Sequence, residues 1–182
     1  MKRLRCCVIF LSVILVALGG HAIAASPAAT AEPGTGLAFG ALDLTESDLA
    51  VTHVVLMRVK PAKVYMGSSG ERATVTYNNG EFYSANLAPG IYSVMGFFSG
   101  SKFFPFERAV RNNAFQVESG RVAYAGQYKL QLVKGSLFRW DKGSFARVDT
   151  PDAEARLLRW LAKELAASGW ASSINARLSE TK

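Results

Sequence analysis

From residue 37 to about residue 148, apolar side chains recur mostly at every second position, and clusters of Gly, Pro and Asn cut that rhythm at short intervals. A period of two puts successive side chains on opposite faces of an extended chain, so each run is a ribbon with one greasy face that must be covered. Many short runs divided by turn residues predict a mainly β chain, an antiparallel β-sandwich of about seven or eight strands.

The clearest run spans 121–133. Val122, Tyr124, Tyr128, Leu130 and Leu132 share one parity, and Arg121, Ala123, Gln127, Lys129 and Gln131 share the other. One face is therefore expected to be buried and the other wet. Gly126 interrupts the apolar row, where a missing side chain permits a bulge or the bend by which one strand serves two sheets. Residues 52–59 are apolar on both parities apart from Thr52, His53 and Arg58, which predicts a central strand covered on both sides. Val75 and Tyr77 lead into Asn78-Asn79-Gly80, residues that tolerate the positive φ of a hairpin turn.

After Val148 the period changes. Thr150-Pro151-Asp152-Ala153-Glu154 reads as a helix start, with a hydroxyl cap, a Pro at the first helical position and acids near the positive end of the dipole. Leu157, Leu158, Leu161 and Leu165 then line one stripe until Ser168-Gly169 ends the helix. Trp170, Ile174 and Leu178, four apart, predict a second short helix. Residues 149–182 thus form a helical tail whose apolar stripes either pack on the sheets or dock on another protein.

Ahead of this domain, Lys2, Arg3 and Arg5 precede an apolar stretch at 8–18 broken only by Ser12, and Ala22-Ile23-Ala24 follows with the spacing of a cleavage site. That layout is an export signal over 1–24, so the chain is expected to be cut after Ala24 and to work in the periplasm or outside the cell. The stretch is shorter than the roughly 18 to 20 apolar residues that cross a bilayer, although an uncut version running 6–25 would just reach across and tether the domain. Removing Lys2, Arg3 and Arg5 leaves 18 basic against 14 acidic residues, +4 in place of +7, so much of the apparent basicity belongs to the signal. With Lys and Arg also spread along the chain, nucleic acid is not an expected partner. Cys6 and Cys7, the only cysteines, leave with the signal. The mature chain is then expected to hold no disulfide, thiol nucleophile or thiolate metal site. Residues 25–36, mostly Ala, Ser, Pro, Thr and Gly, cannot bury enough apolar surface to offset their ordering and read as a flexible leader before a domain at 37–148.

The segment Gly80-Glu81-Phe82-Tyr83-Ser84-Ala85-Asn86-Leu87-Ala88-Pro89-Gly90-Ile91-Tyr92-Ser93-Val94 resembles the hairpin of the carboxypeptidase regulatory-like and transthyretin-like (prealbumin-like) β-sandwiches. There Gly-x-Phe leads through Leu-x-Pro-Gly to x-Tyr-x-Val. Pro89 presets φ at the second turn position, Gly90 takes the third, and Tyr92 and Val94 return inward on the next strand. Phe115-Gln116-Val117-Glu118-Ser119-Gly120-Arg121-Val122-Ala123-Tyr124-Ala125-Gly126 is similar to a strand-turn-strand of small exported bacterial proteins with that sandwich. The resemblance implies a noncatalytic scaffold used for folding, adhesion or binding, and the matching residues belong to turns and core, so it carries no site residues. The helical tail is an addition to such a module.

Candidate chemistry is sparse. His53, the one histidine left after processing, shares parity with Val51, Val55, Met57 and Val59 and reads as a hydrogen-bonded packing residue, because a zinc site needs three or four ligands. Gly67-Ser68-Ser69-Gly70 and Ser99-Gly100-Ser101 read as turns, since no spacing places a base beside their hydroxyls. Asp43, Glu46 and Asp48 lack the central Gly and distal Glu of a calcium loop and read as a solvated acidic loop. No metal or cofactor is expected. The unexplained stretch is 97–111, with Phe97, Phe98, Phe103, Phe104 and Phe106 beside Lys102, Arg108 and Arg111. Pro105 and Gly100 argue against one regular element through it. Either the rings fold under the tail helix, or they form an exposed patch for an anionic partner such as lipid headgroups or acidic glycans. The overall expectation is an exported, noncatalytic binding or envelope-assembly accessory, whose partner is an envelope protein or an anionic envelope component. Membrane contact would run through an uncut N-terminus or the Phe loop. The alternative is a cell-wall glycan or peptide hydrolase using carboxylates that the sequence does not single out.

Overall fold

The computed structural model describes residues 30–45, 47, 49–61, 64–65, 68–69, 71–73, 75–133 and 142–181. The expected export signal, Glu46, Asp48, Gly67 and Gly70 lie outside the described residues. In chain order the elements are β1 (Gly36–Asp43), β2 (His53–Lys60), β3 (Val64–Tyr65), β4 (Ser68–Ser69), β5 (Glu71–Ala73), β6 (Thr76–Asn78), β7 (Glu81–Leu87), β8 (Gly90–Ser99), β9 (Lys102–Pro105), α1 (Arg108–Arg111), β10 (Phe115–Val117), β11 (Val122–Val133), β12 (Lys142–Arg147), α2 (Ala153–Glu164) and α3 (Ala171–Glu180). Strands β3 and β4 pair with each other, so Ser68–Ser69 is a short strand and not the turn expected there. Two larger sheets follow the orders β12-β11-β1-β7-β6 and β10-β8-β2-β5, with β9 added to β8. The chain is mainly β, with two sheets and a helical C-terminal part.

The sheets share one hydrophobic core. Ala38, Leu42, Phe82 and Tyr128 of the first sheet meet Leu56, Tyr92, Val94 and Phe97 of the second. A separate core lies on the other face of the first sheet, where Leu37, Phe39, Tyr83 and Val122 pack against Leu157, Leu158, Leu161, Trp170 and Ile174. The apolar stripe of the tail therefore covers a sheet, and β1, between the two cores, is buried on both faces. Each leucine so buried contributes roughly 1.5–3 kcal/mol. Helix α2 begins at Ala153 without a side-chain cap; Thr150, expected to cap it with its hydroxyl, instead accepts the Ala153 N–H on its carbonyl at 2.9 Å.

Three expectations about the strands need correction. The sheets are not purely antiparallel, because β1 and β11 pair in parallel. Parallel neighbours need a long crossover, and here the chain between them visits the second sheet twice, with β6 and β7 of the first sheet in between. The Leu87-Ala88-Pro89-Gly90 connection is not a hairpin: β7 lies in the first sheet and β8 in the second, so the Pro-Gly turn carries the chain across the core. Tyr92 and Val94 do return inward. Third, the long strand does not keep one buried parity. The β1–β11 register shifts at Phe39/Gly40, where Tyr124 pairs with Phe39 and Gly126 with Gly40, leaving Ala125 as the extra residue. Before this bulge Val122 faces the helices; after it Tyr128 and Leu130 face the other sheet. A bulge is expected to kink a strand, and one extra residue also exchanges its faces.

Two polar groups at the bulge are taken up by side chains. Tyr128, fully buried, donates its hydroxyl to the Ala125 carbonyl at 2.7 Å, and the Gln127 N–H donates to Asp149 Oδ1 at 3.0 Å. Gly126 adopts φ 110°, and Arg147 Nε lies 3.0 Å from where its Cβ would stand, so both backbone and space call for glycine. The hairpin expected at Asn78-Asn79-Gly80 joins β6 to β7 with Asn79 and Gly80 at positive φ. The end of the expected leader is tied down as well: Asn86 donates to the Thr30 carbonyl at 2.9 Å and accepts the Glu32 N–H at 3.1 Å.

Candidate binding face

Strands β8 and β9 make a regular hairpin through Gly100 and Ser101, and it divides the expected Phe cluster between two faces. Phe97 and Phe106 are 0% and 1% exposed in the core between the sheets. Phe104, half-buried, stacks on Phe97 with centroids 5.2 Å apart, and the Lys102 ammonium lies 5.0 Å from its centroid. These rings do not fold under the tail helices, which cover the opposite side of the first sheet. Arg108 is exposed on α1; Arg111 is half-buried, and its carbonyl accepts a hydrogen bond from Ser93 Oγ. Of the eight residues, only Phe98 and Phe103 are left facing outward together. Their centroids lie 5.0 Å apart, and Phe103, 39% exposed, is the exposed large hydrophobic among the described residues.

His53 joins them. It pairs with Phe98 across β2 and β8, Phe98 pairs with Phe103 across β8 and β9, and the imidazole meets the Phe98 ring edge-on at 6.4 Å. Three aromatic rings thus form a row across three neighbouring strands. His53 is exposed, contrary to the packing role expected of it, and β2 is covered fully only on its inner side, with Met57 half-buried on the other. The row depends on a second bulge, at Met95, where Val55 pairs with Gly96 but Leu56 with Val94. The extra residue turns Phe98 outward while Phe97 keeps to the core. Gly96, at φ 146°, leaves room for the β9 backbone: the Phe104 carbonyl is nearest to where a Cβ would stand, Pro105 Cα lies 2.9 Å from it and the Phe103 ring 3.1 Å.

The ion pairs of the described residues sit elsewhere. A recess of about 630 Å³ beside α3 holds Glu118, Arg121, Glu154, Arg177 and Glu180. Arg177 reaches Glu154 at 2.8 Å and Glu180 at 2.9 Å, and Arg121 reaches Glu118 at 3.4 Å. Asp149 accepts from Tyr124 Oη at 2.8 Å and Arg147 Nε at 2.5 Å as well as from Gln127. Burial pushes the Asp149 carboxyl up, but these donors and the charge of Arg147 outweigh it and hold it below the usual carboxylate range. Asp43 is held low chiefly by the Thr45 hydroxyl at 2.7 Å and also by the Thr45 N–H, which makes it a loop brace. Among the described residues no three His, Cys, Asp or Glu side chains gather as metal donors. Among them also, no helix is long and apolar enough to cross a membrane.

No protein-family model matches the chain, and no curated protein matches it.

Proposed function

We propose that the chain is an exported, noncatalytic binding or envelope-assembly accessory, built on a transthyretin-like sandwich, that holds its partner on the outer face of its second sheet. The observation that carries this reading is the aromatic row His53–Phe98–Phe103, exposed on a sheet whose companion is sealed by helices. Exposed aromatic side chains on a rigid sheet lose little entropy on contact and are characteristic of binding hot spots. Among the described residues, the carboxyls displaced from their ordinary range, Asp43 and Asp149, move downward. That suits bracing, whereas a hydrolase needs one carboxyl raised to act as the general acid.

The test is a photo-crosslinking amino acid placed at position 103 of the full-length protein in its native envelope, with position 163, exposed on α2 over the first sheet, as control. The expected result is an adduct specific to position 103, on a mature chain whose mass begins at Ala25. Equal labelling at 103 and 163, or glycan or peptide hydrolysis by the purified protein, would overturn the reading.

A further inference from the structure

The chain leaves the second sheet at Ala73 and joins the first at Thr76, so β5 ends opposite Leu56 while β2 runs on to His53. This early departure opens an apolar groove of about 510 Å³ beside the aromatic row, lined by Val55, Ala73, Val75 and Phe98, with the exposed His53 and Ser101 also in its lining. Its size falls within the roughly 300–1,000 Å³ common to small-molecule sites. None of the described lining residues is Asp, Glu, Lys or Arg, although such residues are 19% of the chain. A charged group entering the groove would lose its hydration without gaining a counter-charge from these lining residues, whereas an aliphatic chain gains by leaving water.

We infer that this groove binds one uncharged aliphatic chain, the acyl tail of a single lipid-like amphiphile, with the polar head left in water near His53 and Ser101. The inference rests on the reading of the outer face of the second sheet as the binding face, and it names what that face takes. The occupant is a monomer and not a bilayer surface, because the groove has the volume of a small-molecule site and the row beside it offers one exposed large hydrophobic among the described residues, Phe103.

The mature chain is titrated with N-phenylnaphthylamine, an uncharged apolar fluorophore, and then with dodecyl maltoside below its micellar concentration. A saturable rise in fluorescence, reversed by dodecyl maltoside and unaffected by maltose, is the expected result. Ser101→Trp, at an exposed turn position, is expected to weaken binding at least about tenfold with the thermal midpoint unchanged, while Gln116→Trp leaves it intact. Absence of saturable binding, equal affinity in Ser101→Trp, or binding only to phosphatidylcholine vesicles with loss in Phe103→Ser would each overturn the inference. A specific adduct at position 103 combined with no fluorophore binding would sink the acyl-chain proposal alone and leave the wider reading standing.

Discussion

At the scale of single residues, neighbours in sequence have opposite duties. Phe106 stacks on Phe145 at 4.5 Å and meets Tyr128 at 5.1 Å in the core, while Phe103 lies outside. Phe106→Ala is therefore expected to cost about 3–5 kcal/mol and Phe103→Ala less than about 1 kcal/mol, as read by urea unfolding. Asp149 makes a pH-dependent contribution. Its carboxyl is held below its ordinary 3.8 in the folded chain, so its stabilisation is complete above that value and is lost as pH falls through the lower, folded one. Asp149→Asn is expected to lower stability at neutral pH by on the order of 1 kcal/mol, allowing for solvent screening of this half-exposed group, and to flatten the acid limb of the stability profile. An unchanged acid limb would show that the brace is energetically idle. Tyr128, whose hydroxyl burial pushes up to about 12, stays a neutral donor to the bulge at physiological pH.

At the scale of elements, the sequence carried the periods but not the interruptions. Alternation located the strands, and the leucine stripe located α2, because both periods follow from one repeating backbone geometry. The bulges at Ala125 and Met95 each add one residue, and one residue exchanges every later side chain between faces. Gly126 signalled the first bulge without telling which residue is extra, so Val122 and Tyr128 were placed together when they belong to different cores. Gly96 follows Met95 as Gly126 follows Ala125, but a glycine inside a strand does not by itself fix the extra residue, so the division of the Phe cluster, and with it the pairing of His53 with Phe98, could not be read in advance. Crossing between sheets at Pro89-Gly90 was equally hidden, since a Pro-Gly turn looks the same whichever sheet receives the next strand. Gly126→Ala tests the first bulge: strain at positive φ and the approach of Arg147 are expected to cost about 1–3 kcal/mol, whereas a bulge of no consequence would tolerate the methyl.

At the scale of the whole molecule, the two sheets differ in what covers them. Leu157, Leu158 and Leu161 are fully buried against the first sheet, so Leu161→Ala is expected to cost about 2–5 kcal/mol in thermal or urea unfolding and to leave contacts of the second sheet unaffected. The strands also give the molecule two distinct ends. The pinned segment at Thr30 enters beside Asn86, near the start of β8, and the Gly100-Ser101 turn lies where β8 finishes, ten residues or roughly 30 Å along the strand. The outer face of the second sheet is the proposed contact surface. Hydrogen–deuterium exchange of the protein, free and bound in isolated native envelopes, tests this most directly. Added protection concentrated in β2, β8 and β9 is the expected result, and protection concentrated in α2 and α3, or none in the second sheet, would contradict it.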